Sequence, residues 1–432
     1  MASTLQSPMD LKNKKVTIIG LARSGIAVAQ IVKKLGGRPR ITEQKSVDDF
    51  KKENSQWLEP PDVVYELGGH TRAFVEESDL VVLSPGVRKD AVPVGWALAK
   101  GIPVVGEIEL AYQFCPAPII AVTGSNGKTT TVTLIAEILK KTGKNVFLCG
   151  NIGRPFSQCV LEMKPDDWAV LEVSSFQLET IQQFKPRVAL FLNFSENHLD
   201  RHKDIQEYFE AKARIFENQD EGDFAILNYQ QPQLRTLAGT LKAKVSFFNS
   251  PEKVSLHSNP NYWAALEASR ILGIPSRIAQ EVFQQFKGVE HRLEFVRTLS
   301  GVDYINDSKA TTVASGRWAL ERMEKPVIMI CGGRDKNLDF SVLRDIVKKK
   351  VKKMIAYGEA REKLKKIFSD VTAFESYPTL EGAVASAHQS ALAGDCVVLS
   401  PMCASFDLFS NYEERGRVFK NLVFGLGPSK GV

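Results

Sequence analysis

The residues best suited to chemistry form a glycine-rich segment, TGSNGKTT, at positions 123–130. It follows four apolar residues at 119–122 that are typical of a buried strand, and a helical pattern begins at about Thr129. In a strand–turn–helix of this kind, glycines let backbone N–H groups approach phosphate oxygens, and the helix N-terminus favours negative charge. Lys128 would reach the β- and γ-phosphates of a nucleotide, and the Thr129 hydroxyl would bind Mg²⁺. The nucleotide-binding residues predicted in this segment are Gly124, Ser125, Asn126, Gly127, Lys128, Thr129 and Thr130.

This loop is shorter than the common phosphate-binding pattern, because Val122 occupies the position of the first glycine. The alternative interpretation is a tight turn between a strand and a helix that binds no ligand. The Gly-Lys-Thr sequence at the start of a helix favours nucleotide binding.

Later in the chain, three further residues, Glu172, His198 and Lys212, could complete a catalytic site. Glu172 ends an apolar strand pattern at 168–171, and a carboxylate at the end of a strand near a phosphate loop can hold Mg²⁺. His198 lies in the polar segment SENHLDRH at 195–202, where a surface or capping role is the alternative to metal binding. Lys212 lies in the segment AKAR, and by spacing alone it is an ordinary helix lysine.

A second glycine-rich turn, GLARSG at 20–25, follows an apolar strand pattern near the start of the chain. With Glu43 at the end of the next strand it imitates a dinucleotide-binding fingerprint, although Ala22 replaces the middle glycine, where pyrophosphate approaches most closely. The segment Ser84-Pro85-Gly86 is another turn at a strand end, and a plain turn is the alternative to ligand contact there.

These segments belong to a repeated pattern of strand, turn and helix. Apolar strand patterns occur at 16–19, 81–83, 104–105, 119–122, 168–173, 188–193, 327–330, 354–357 and 397–400. Helices are predicted at 26–35 and 129–141. Strands that are apolar throughout and alternate with helices indicate parallel sheets covered on both faces. The predicted class is therefore α/β, with three domains at residues 1–106, 107–288 and 289–432, each built on a mainly parallel sheet with helices on both faces.

Composition narrows the functional classes. The chain is 44% hydrophobic and 25% charged, as in globular proteins, and its net charge of +6 suits anionic small molecules but is too diffuse to indicate nucleic acid. The lysine-rich stretches 348–353 and 363–366 are interpreted as solvated helix faces. The six cysteines form no C-x-x-C pair, so neither a zinc motif nor a disulfide framework is predicted. No apolar run reaches the length of a signal peptide or membrane span, so we expect a cytoplasmic protein without membrane insertion.

Four segments resemble, in order, the central domain of the Mur ligases, which are ATP-dependent enzymes of peptidoglycan precursor synthesis: GSNGKT, LEVSSFQLE, NHLDRH and EAKARIFEN. Three later segments are similar to the D-glutamate-adding members of that family: NDSKATT, CGGRDKN and LSPMCASFDLFSNYEERG. The resemblance covers nearly the whole chain. It implies Rossmann-like N- and C-terminal domains and a central P-loop domain. The implied reaction joins D-glutamate to UDP-N-acetylmuramoyl-L-alanine through an acyl phosphate and gives ADP and phosphate.

For ATP and metal, the resemblance assigns roles to the phosphate loop and to the segments after it. Lys128 and Thr129 would hold the ATP phosphates and a first Mg²⁺, with Glu172 as a shared metal ligand. His198 would bind a second Mg²⁺, and Lys212 would be carbamylated by CO₂ so that it offers an oxygen ligand. The remaining nucleotide contacts implied are Asn261 and Arg292 with adenine and phosphate, Asp307 with the ribose, and Lys309 near the γ-phosphate.

The resemblance also implies where the other two substrates bind. Ser24 and Gly25 would face the phosphates of the UDP moiety, and Lys336 would pair with a carboxylate of D-glutamate. The complete implied set of substrate-binding residues is Ser24, Gly25, Glu43, Ser84, Asn151, Ser174, Gln177, Thr311, Lys336, Ser405 and Tyr412. The expected partners are therefore small molecules, with no nucleic acid, and the expected state is a monomer.

Other interpretations use fewer of these residues. An NAD-dependent oxidoreductase would explain residues 15–43 but would leave 124–130 and 399–416 without a role. A non-catalytic ATP switch would not need Lys336 or Ser405. A related amide-bond ligase that uses another amino acid, or one of the folylpolyglutamate type, would keep the ATP site. Lys336 favours D-glutamate over a diamino acid, whose second amine would need acidic partners.

Overall fold

The computed structural model describes residues 9–48, 62–195, 201–251, 259–335 and 337–427. They form three β-sheets with helices packed against them. The described residues divide into two compact units, and the main division falls between residues 286 and 287. The first unit contains two of the sheets and the second unit contains the third.

The first sheet has five parallel strands. They are β1 (Lys15–Ile19), β2 (Arg38–Glu43), β3 (Val64–Leu67), β4 (Leu80–Leu83) and β5 (Val104–Gly106). Its helices are α1 (Arg23–Lys34), α2 (Arg72–Glu76) and α3 (Val92–Ala99). The strand order is β3-β2-β1-β4-β5. Strands β2 and β3 therefore lie on one side of β1, and β4 and β5 lie on the other side. The loops after β1 and β4 therefore flank a crevice at the C-terminal edge, which is where open α/β sheets bind ligands.

The second sheet has six parallel strands. They are β6 (Ile119–Thr123), β7 (Val146–Gly150), β8 (Trp168–Glu172), β9 (Val188–Phe191), β10 (Phe224–Asn228) and β11 (Lys244–Phe248). The helices are α4 (Glu107–Tyr112), α5 (Lys128–Lys141), α6 (Phe156–Cys159), α7 (Ser175–Leu178), α8 (Ile205–Ala213), α9 (Pro232–Ala238), α10 (Pro260–Ile271) and α11 (Ser276–Gln285). Two short 3₁₀ helices cover Val160–Glu162 and Arg214–Phe216.

The order of the second sheet, β11-β10-β9-β6-β8-β7, puts β6 between β9 and β8. All five residues of β6 are buried, as expected for a strand covered on both faces. Apolar side chains of α5 and α10, including Ile135, Leu139 and Ala265, pack together in the core on one face. Because β6 pairs in parallel with both β8 and β9, the loops after these three strands leave the same edge of the sheet side by side.

The third sheet lies in the second unit. Its strands are β12 (Glu294–Leu299), β13 (Val302–Asn306), β14 (Val327–Gly332), β15 (Val351–Tyr357), β16 (Ala373–Tyr377) and β17 (Cys396–Met402). Its helices are α12 (Val313–Arg322), α13 (Arg344–Lys350), α14 (Arg361–Phe368), α15 (Leu380–Ser390) and α16 (Tyr412–Gly425), with a 3₁₀ helix at Ser341–Leu343. In the order β12-β13-β17-β14-β15-β16, β12 pairs antiparallel with β13 and the other pairs are parallel. The ends of β13, β17 and β14 are thus neighbours.

The predicted α/β class with mainly parallel sheets is confirmed, and one local prediction is wrong. The lysine-rich stretch 348–353 is not a single helix face, because α13 ends at Lys350 and β15 begins at Val351. The side chains of Lys352 and Lys353 instead donate to Asp395 at 2.8 Å and to Glu375 at 2.6 Å. The three predicted domain boundaries remain predictions. Among the described residues, no helix combines the length and the apolar character that a membrane crossing requires.

Candidate active site

The predicted phosphate-binding loop connects β6 to α5 in the first unit. Gly124 has φ +152° and Gly127 has φ +82°, which glycine adopts without steric strain. A Cβ atom on Gly127 would lie 2.2 Å from Oδ1 of Asn261, so glycine also lets the Asn261 side chain pack against the loop. The α5 helix begins at Lys128, and its partially positive end therefore lies at the loop. This arrangement suits an anion such as a nucleotide phosphate.

The Lys128 side chain turns back over this loop. Its Nζ donates to the carbonyl oxygens of Gly124 at 2.7 Å and of Ser125 at 3.3 Å. On the other side, the Asn126 amide donates to Oδ1 of Asn193 at 2.9 Å, and Nδ2 of Asn193 donates to the Asn126 carbonyl at 3.0 Å. The end of β9 thus fixes the loop, and the ammonium group stays within it.

Thr129 and Glu172 meet where β6 and β8 lie side by side. The Thr129 hydroxyl donates to Oε2 of Glu172 at 2.7 Å, and both residues are only 3% exposed. Nδ2 of Asn151, which follows β7, donates to Oε1 of the same carboxylate at 3.0 Å. Three predicted site residues, one each from the start of α5, the end of β8 and the loop after β7, are therefore joined through one buried carboxylate.

The donor atoms of this cluster fit Mg²⁺. A hydroxyl oxygen and a carboxylate oxygen are hard donors of the kind Mg²⁺ prefers, and the cluster lies beside the phosphate loop. Mg²⁺ in nucleotide sites is commonly held by one or two such protein oxygens together with the phosphates. The residues present are thus suitable for a metal that binds with ATP.

Lys212, in α8, is buried beside the same loop and is 2% exposed. Its Nζ donates to the Gly124 carbonyl at 3.1 Å and lies 4.7 Å from the ring centre of Tyr208. Burial, and then repulsion from the Lys128 ammonium, hold the pKa of Lys212 well below its usual value. A neutral amine is the form that can react with CO₂, so the site fits the predicted carbamylation.

Ser174 lies two residues after Glu172, and it forms a capping box with Gln177 at the start of α7. The Ser174 hydroxyl accepts from the Gln177 amide at 3.4 Å, and the Gln177 side-chain oxygen accepts from the Ser174 amide at 3.0 Å. These contacts fix the direction in which the chain leaves β8. They are structural contacts, and a substrate contact of either residue stays a prediction.

In the first sheet, the turn after β1 and the loop after β4 touch each other. The Ser84 hydroxyl donates to the Gly20 carbonyl at 2.8 Å. Gly25, in the first turn of α1 beside Ser24, approaches the same carbonyl so closely that a Cβ atom would lie 2.2 Å away. The Glu43 carboxylate accepts from the backbone amides of Leu21 at 2.7 Å and of Lys45 at 3.1 Å. The predicted UDP-binding residues are thus gathered in one crevice, where Glu43 also stabilises the turn.

In the second unit, Asp307 lies directly after β13 and is 3% exposed. Its carboxylate accepts from the Leu293 amide at 3.1 Å and from the Ser400 hydroxyl at 3.2 Å. Burial raises the pKa of Asp307 to about 7. The positive charge of Arg292 lowers the pKa of Asp307, but by less than burial raises it. The Cζ atom of Arg292 lies 5.7 Å from a ring centre of Trp318.

The predicted amino-acid residues of the second unit come from loops after neighbouring strands. Thr311 follows β13, and the buried Ser405 follows β17. Tyr412 is the first residue of α16, and its carbonyl accepts from the Ser308 hydroxyl at 2.8 Å. The Nζ of Lys309 lies 5.8 Å from the ring centre of Tyr412. Thr311, Ser405, Lys309 and Tyr412 therefore belong to one edge of the third sheet.

Comparison with known proteins identifies the family. Sequence models of a MurD-like N-terminal domain, the Mur ligase middle domain and a Mur ligase, glutamate ligase domain match residues 14–106, 122–279 and 291–403. The UDP-N-acetylmuramoylalanine--D-glutamate ligase of Geotalea uraniireducens is 40% identical over 453 aligned positions, which cover 98% of this chain and all of that protein. The chain belongs to the Mur ligase family.

Further comparisons agree with this membership. A Thermoanaerobacter protein of the same name is 39% identical, with 96% of this chain and 99% of that protein covered. Among solved Mur ligase structures, UDP-N-acetylmuramate-alanine ligase MurC of Thermotoga maritima is similar with a TM-score of 0.58. It is 15% identical, covers 95% of this chain and 99% of its own, and therefore supports the fold alone. The predicted enzyme class, an ATP-dependent ligase that forms amide bonds, is confirmed.

Two predicted Mur ligase residues, His198 and Lys336, lie outside the described residues. Other side chains near the site were not selected from the sequence. Tyr208 stacks near Lys212, and its hydroxyl lies 3.4 Å from that of Ser125. His202 is buried, with Nε2 3.1 Å from the Ser175 hydroxyl. His202 lies in the segment NHLDRH, from which only His198 was selected, and Tyr208 lies two residues before the segment EAKARIFEN, from which only Lys212 was selected.

Proposed function

We propose that this chain catalyses the ATP-dependent ligation of D-glutamate to UDP-N-acetylmuramoyl-L-alanine in peptidoglycan precursor synthesis. The observation that carries the proposal is the buried contact of Thr129 with Glu172 beside the phosphate loop, at 2.7 Å. The relatives that are about 40% identical over nearly the full chain carry the name of this reaction, which supports the choice of substrates.

ATP would bind with its phosphates in the loop 124–130. The α5 N-terminus and the Lys128 ammonium supply positive charge there, and Asn261 packs against Gly127 where the adenosine end could approach. Arg292, Asp307 and Lys309 of the second unit are the further nucleotide contacts that we propose.

Two Mg²⁺ ions are proposed as cofactors. Thr129 and Glu172 would hold the first, and Glu172, His198 and the carbamate of Lys212 would hold the second. When bound, Mg²⁺ neutralises negative charge on the phosphate oxygens during phosphoryl transfer. Carbamylation converts the Lys212 amine and CO₂ into a carbamate and a proton. The carbamate nitrogen keeps one N–H, which can still donate to the Gly124 carbonyl that now accepts from Nζ at 3.1 Å.

The carboxylate of the alanyl residue would attack the γ-phosphorus of ATP. The bond between this phosphorus and the bridging oxygen breaks, and ADP and an acyl phosphate result. Lys128 stabilises the charge that develops on the transferred group, and Asn151 is close enough to Glu172 to orient the attacking carboxylate. The neutral amine of D-glutamate then attacks the carbonyl carbon, a proton leaves the nitrogen, and phosphate departs to leave the amide.

D-Glutamate would bind at the edge of the third sheet. Thr311, Ser405 and Tyr412 offer hydroxyl groups there, and Lys336 is proposed to pair with a carboxylate. A cationic partner suits an acidic side chain, whereas a diamino acid would need acidic partners. The UDP moiety would bind in the crevice of the first sheet, with Ser24, Gly25, Glu43 and Ser84.

We propose further that the protein acts as a cytoplasmic monomer on small molecules, with no nucleic acid partner and no membrane insertion. The three domains are proposed to end at residues 106, 288 and 432. Because the site residues come from all three, we expect the C-terminal domain to close when nucleotide and substrate bind and so to exclude water. A small-angle scattering profile that nucleotide and substrate leave unchanged would contradict the closure.

Phosphate release with ATP, Mg²⁺ and UDP-N-acetylmuramoyl-L-alanine tests the proposed reaction, with single amino acids supplied in both chiral forms. We expect the wild-type protein to turn over only when the amino acid supplied is D-glutamate. We expect no turnover in Lys128→Ala. Turnover with another amino acid would preserve the ligase chemistry but refute the D-glutamate pocket. ATP binding without turnover across the panel would favour a non-catalytic switch.

A further inference from the structure

Arg201 contacts two segments that belong to different sheets of the first unit. Its Nη1 donates to the Gly86 carbonyl at 2.9 Å and its Nη2 to the Val87 carbonyl at 2.8 Å. These carbonyls lie in the loop after β4, more than 110 residues earlier in the chain. The guanidinium thus holds the loop after β4 at the carbonyls of two adjacent residues.

The same guanidinium is also fixed to the middle sheet. Nη2 lies 3.5 Å from Oε2 of Glu179, and Cζ lies 4.6 Å from the ring centre of Phe176. Phe176 belongs to α7 and Glu179 is its C-terminal cap, so both are attached to the segment that begins at Glu172. The Arg201 side chain is 11% exposed, which shields these contacts from water.

We propose that Arg201 is a positioning residue that sets the distance between the UDP-binding crevice and the metal-binding carboxylate of Glu172. This inference rests on the proposed function, because the nucleotide end of the substrate would bind at the crevice loop and its reacting carboxylate near Glu172. A long substrate bound at both ends reacts well only if the two binding places keep their separation. In the proposed reaction, Arg201 does not touch the reacting atoms.

The chemistry of the contact explains why arginine is needed. Two carbonyls, one carboxylate and one ring face are contacted at the same time, which requires the planar, multiply donating guanidinium. Lysine would keep a charge beside Glu179 but could not hold both carbonyls with the same geometry. Neighbouring contacts are weaker: Arg88 donates to the Arg201 carbonyl at 3.3 Å and is itself exposed.

Arg201→Met and Arg201→Lys test the proposal, with Arg72→Met as the matched control. Arg72 lies on α2, a helix of the first sheet, to which the loop after β4 also belongs. Its side chain is exposed and pairs with Glu76 within the same helix. Hydrogen exchange of the amides at 84–91 measures the hold on the loop and needs no substrate. Steady-state kinetics then give KM separately for the UDP-linked substrate and for ATP.

We expect faster exchange at 84–91 in Arg201→Met, an intermediate effect in Arg201→Lys, and none in Arg72→Met. KM for the UDP-linked substrate should rise about tenfold or more, as expected for the loss of charge-assisted hydrogen bonds, while KM for ATP stays within about twofold. Wild-type exchange at 84–91 in both Arg201 variants would overturn the inference. A parallel loss of folded protein and of activity with both KM values unchanged would also overturn it, because it would indicate a purely structural role.

Failure of the proposed function would look different. In that case the wild-type protein would show no D-glutamate-dependent turnover, whatever residue is present at 201. The exchange measurement would then decide by itself whether Arg201 holds the loop.

Discussion

The hydroxyl of Thr129 donates a hydrogen bond of 2.7 Å to the carboxylate of Glu172, 43 residues further along the chain and equally buried. Glu172 is the last residue of β8, and Thr129 lies in the first turn of α5, which follows the neighbouring parallel strand β6, so the sheet itself brings them together. A hydroxyl and a carboxylate at this distance can bind one metal ion together with the phosphates of a nucleotide.

Removing the charge of Glu172 should impair the metal site while the fold is preserved. Glu172→Gln keeps the size of the side chain, and we expect kcat to fall at least about 100-fold, with an increased Mg²⁺ requirement. Glu137→Gln, which changes an exposed carboxylate paired with Lys140 on α5, is the control and should retain activity. Measurement of turnover against Mg²⁺ concentration checks this, and an unchanged Mg²⁺ dependence in Glu172→Gln would argue against a metal ligand.

The depressed pKa of Lys212 predicts a dependence of activity on CO₂ and pH. Burial favours the neutral amine, which reacts with CO₂, whereas a fall in pH through the lowered pKa protonates the amine and removes the carbamate. Protein dialysed at mildly acidic pH without CO₂ should therefore lose activity and recover it with bicarbonate, and Lys212→Arg should stay inactive in both cases. A carbamate carbon signal after addition of ¹³C-bicarbonate would identify the product. Full activity without CO₂ and no such signal would contradict carbamylation.

Asp307 should make the stability of the second unit depend on pH. Its pKa is raised by burial from 3.8 to about 7, so the folded state binds more protons than the unfolded state between these values. The stabilisation is therefore complete below about pH 4 and is lost as pH rises to about 7, by at most about 4 kcal/mol. Asp307→Asn should flatten this dependence and weaken nucleotide binding.

Hydrogen-exchange protection of β13 amides between pH 5 and pH 8 measures the effect of Asp307. The exposed Asp345, on α13, provides the control variant Asp345→Asn. Equal pH dependence in Asp307→Asn and in the wild-type protein would show that Asp307 is not responsible.

Arg415 should stabilise the loops of the third sheet. This residue is completely buried, and its guanidinium donates to the Ser308 hydroxyl at 2.9 Å, to the Ser308 carbonyl at 2.8 Å and to the Cys403 carbonyl at 3.2 Å. Arg415→Lys cannot make all three hydrogen bonds, so we expect a loss of about 2–4 kcal/mol in unfolding free energy. Arg417→Lys on the exposed side of α16 should change it by less than about 0.5 kcal/mol in the same urea titration. Equal stability of the two variants would refute the role of Arg415.

The sequence was sufficient to predict the parts of the site that depend on local patterns. The phosphate loop, Lys128 and Thr129 follow from one segment between a strand and a helix, and Glu172 from the end of an apolar strand. These predictions depend on short-range geometry, which residue types and spacing express directly.

Contacts between distant segments could not be predicted in this way. The pairing of Arg201 with Gly86 depends on how two sheets pack, and the raised pKa of Asp307 depends on burial by residues from several strands. The stretch 348–353, with one valine among five lysines, suits an exposed helix face as well as the start of a strand, so its pattern alone does not decide between them. Pairing of β15 between β14 and β16 decides between the two.

The central claim is that this chain activates a carboxylate with ATP and transfers it to D-glutamate. It is tested most directly with UDP-N-acetylmuramoyl-L-alanine in which both oxygens of the alanyl carboxylate are ¹⁸O. If an acyl phosphate forms, one ¹⁸O atom should appear in each released phosphate, and release should require D-glutamate. Released phosphate that contains no ¹⁸O would contradict the acyl phosphate. Phosphate release that continues when D-glutamate is omitted would contradict the coupled transfer to D-glutamate.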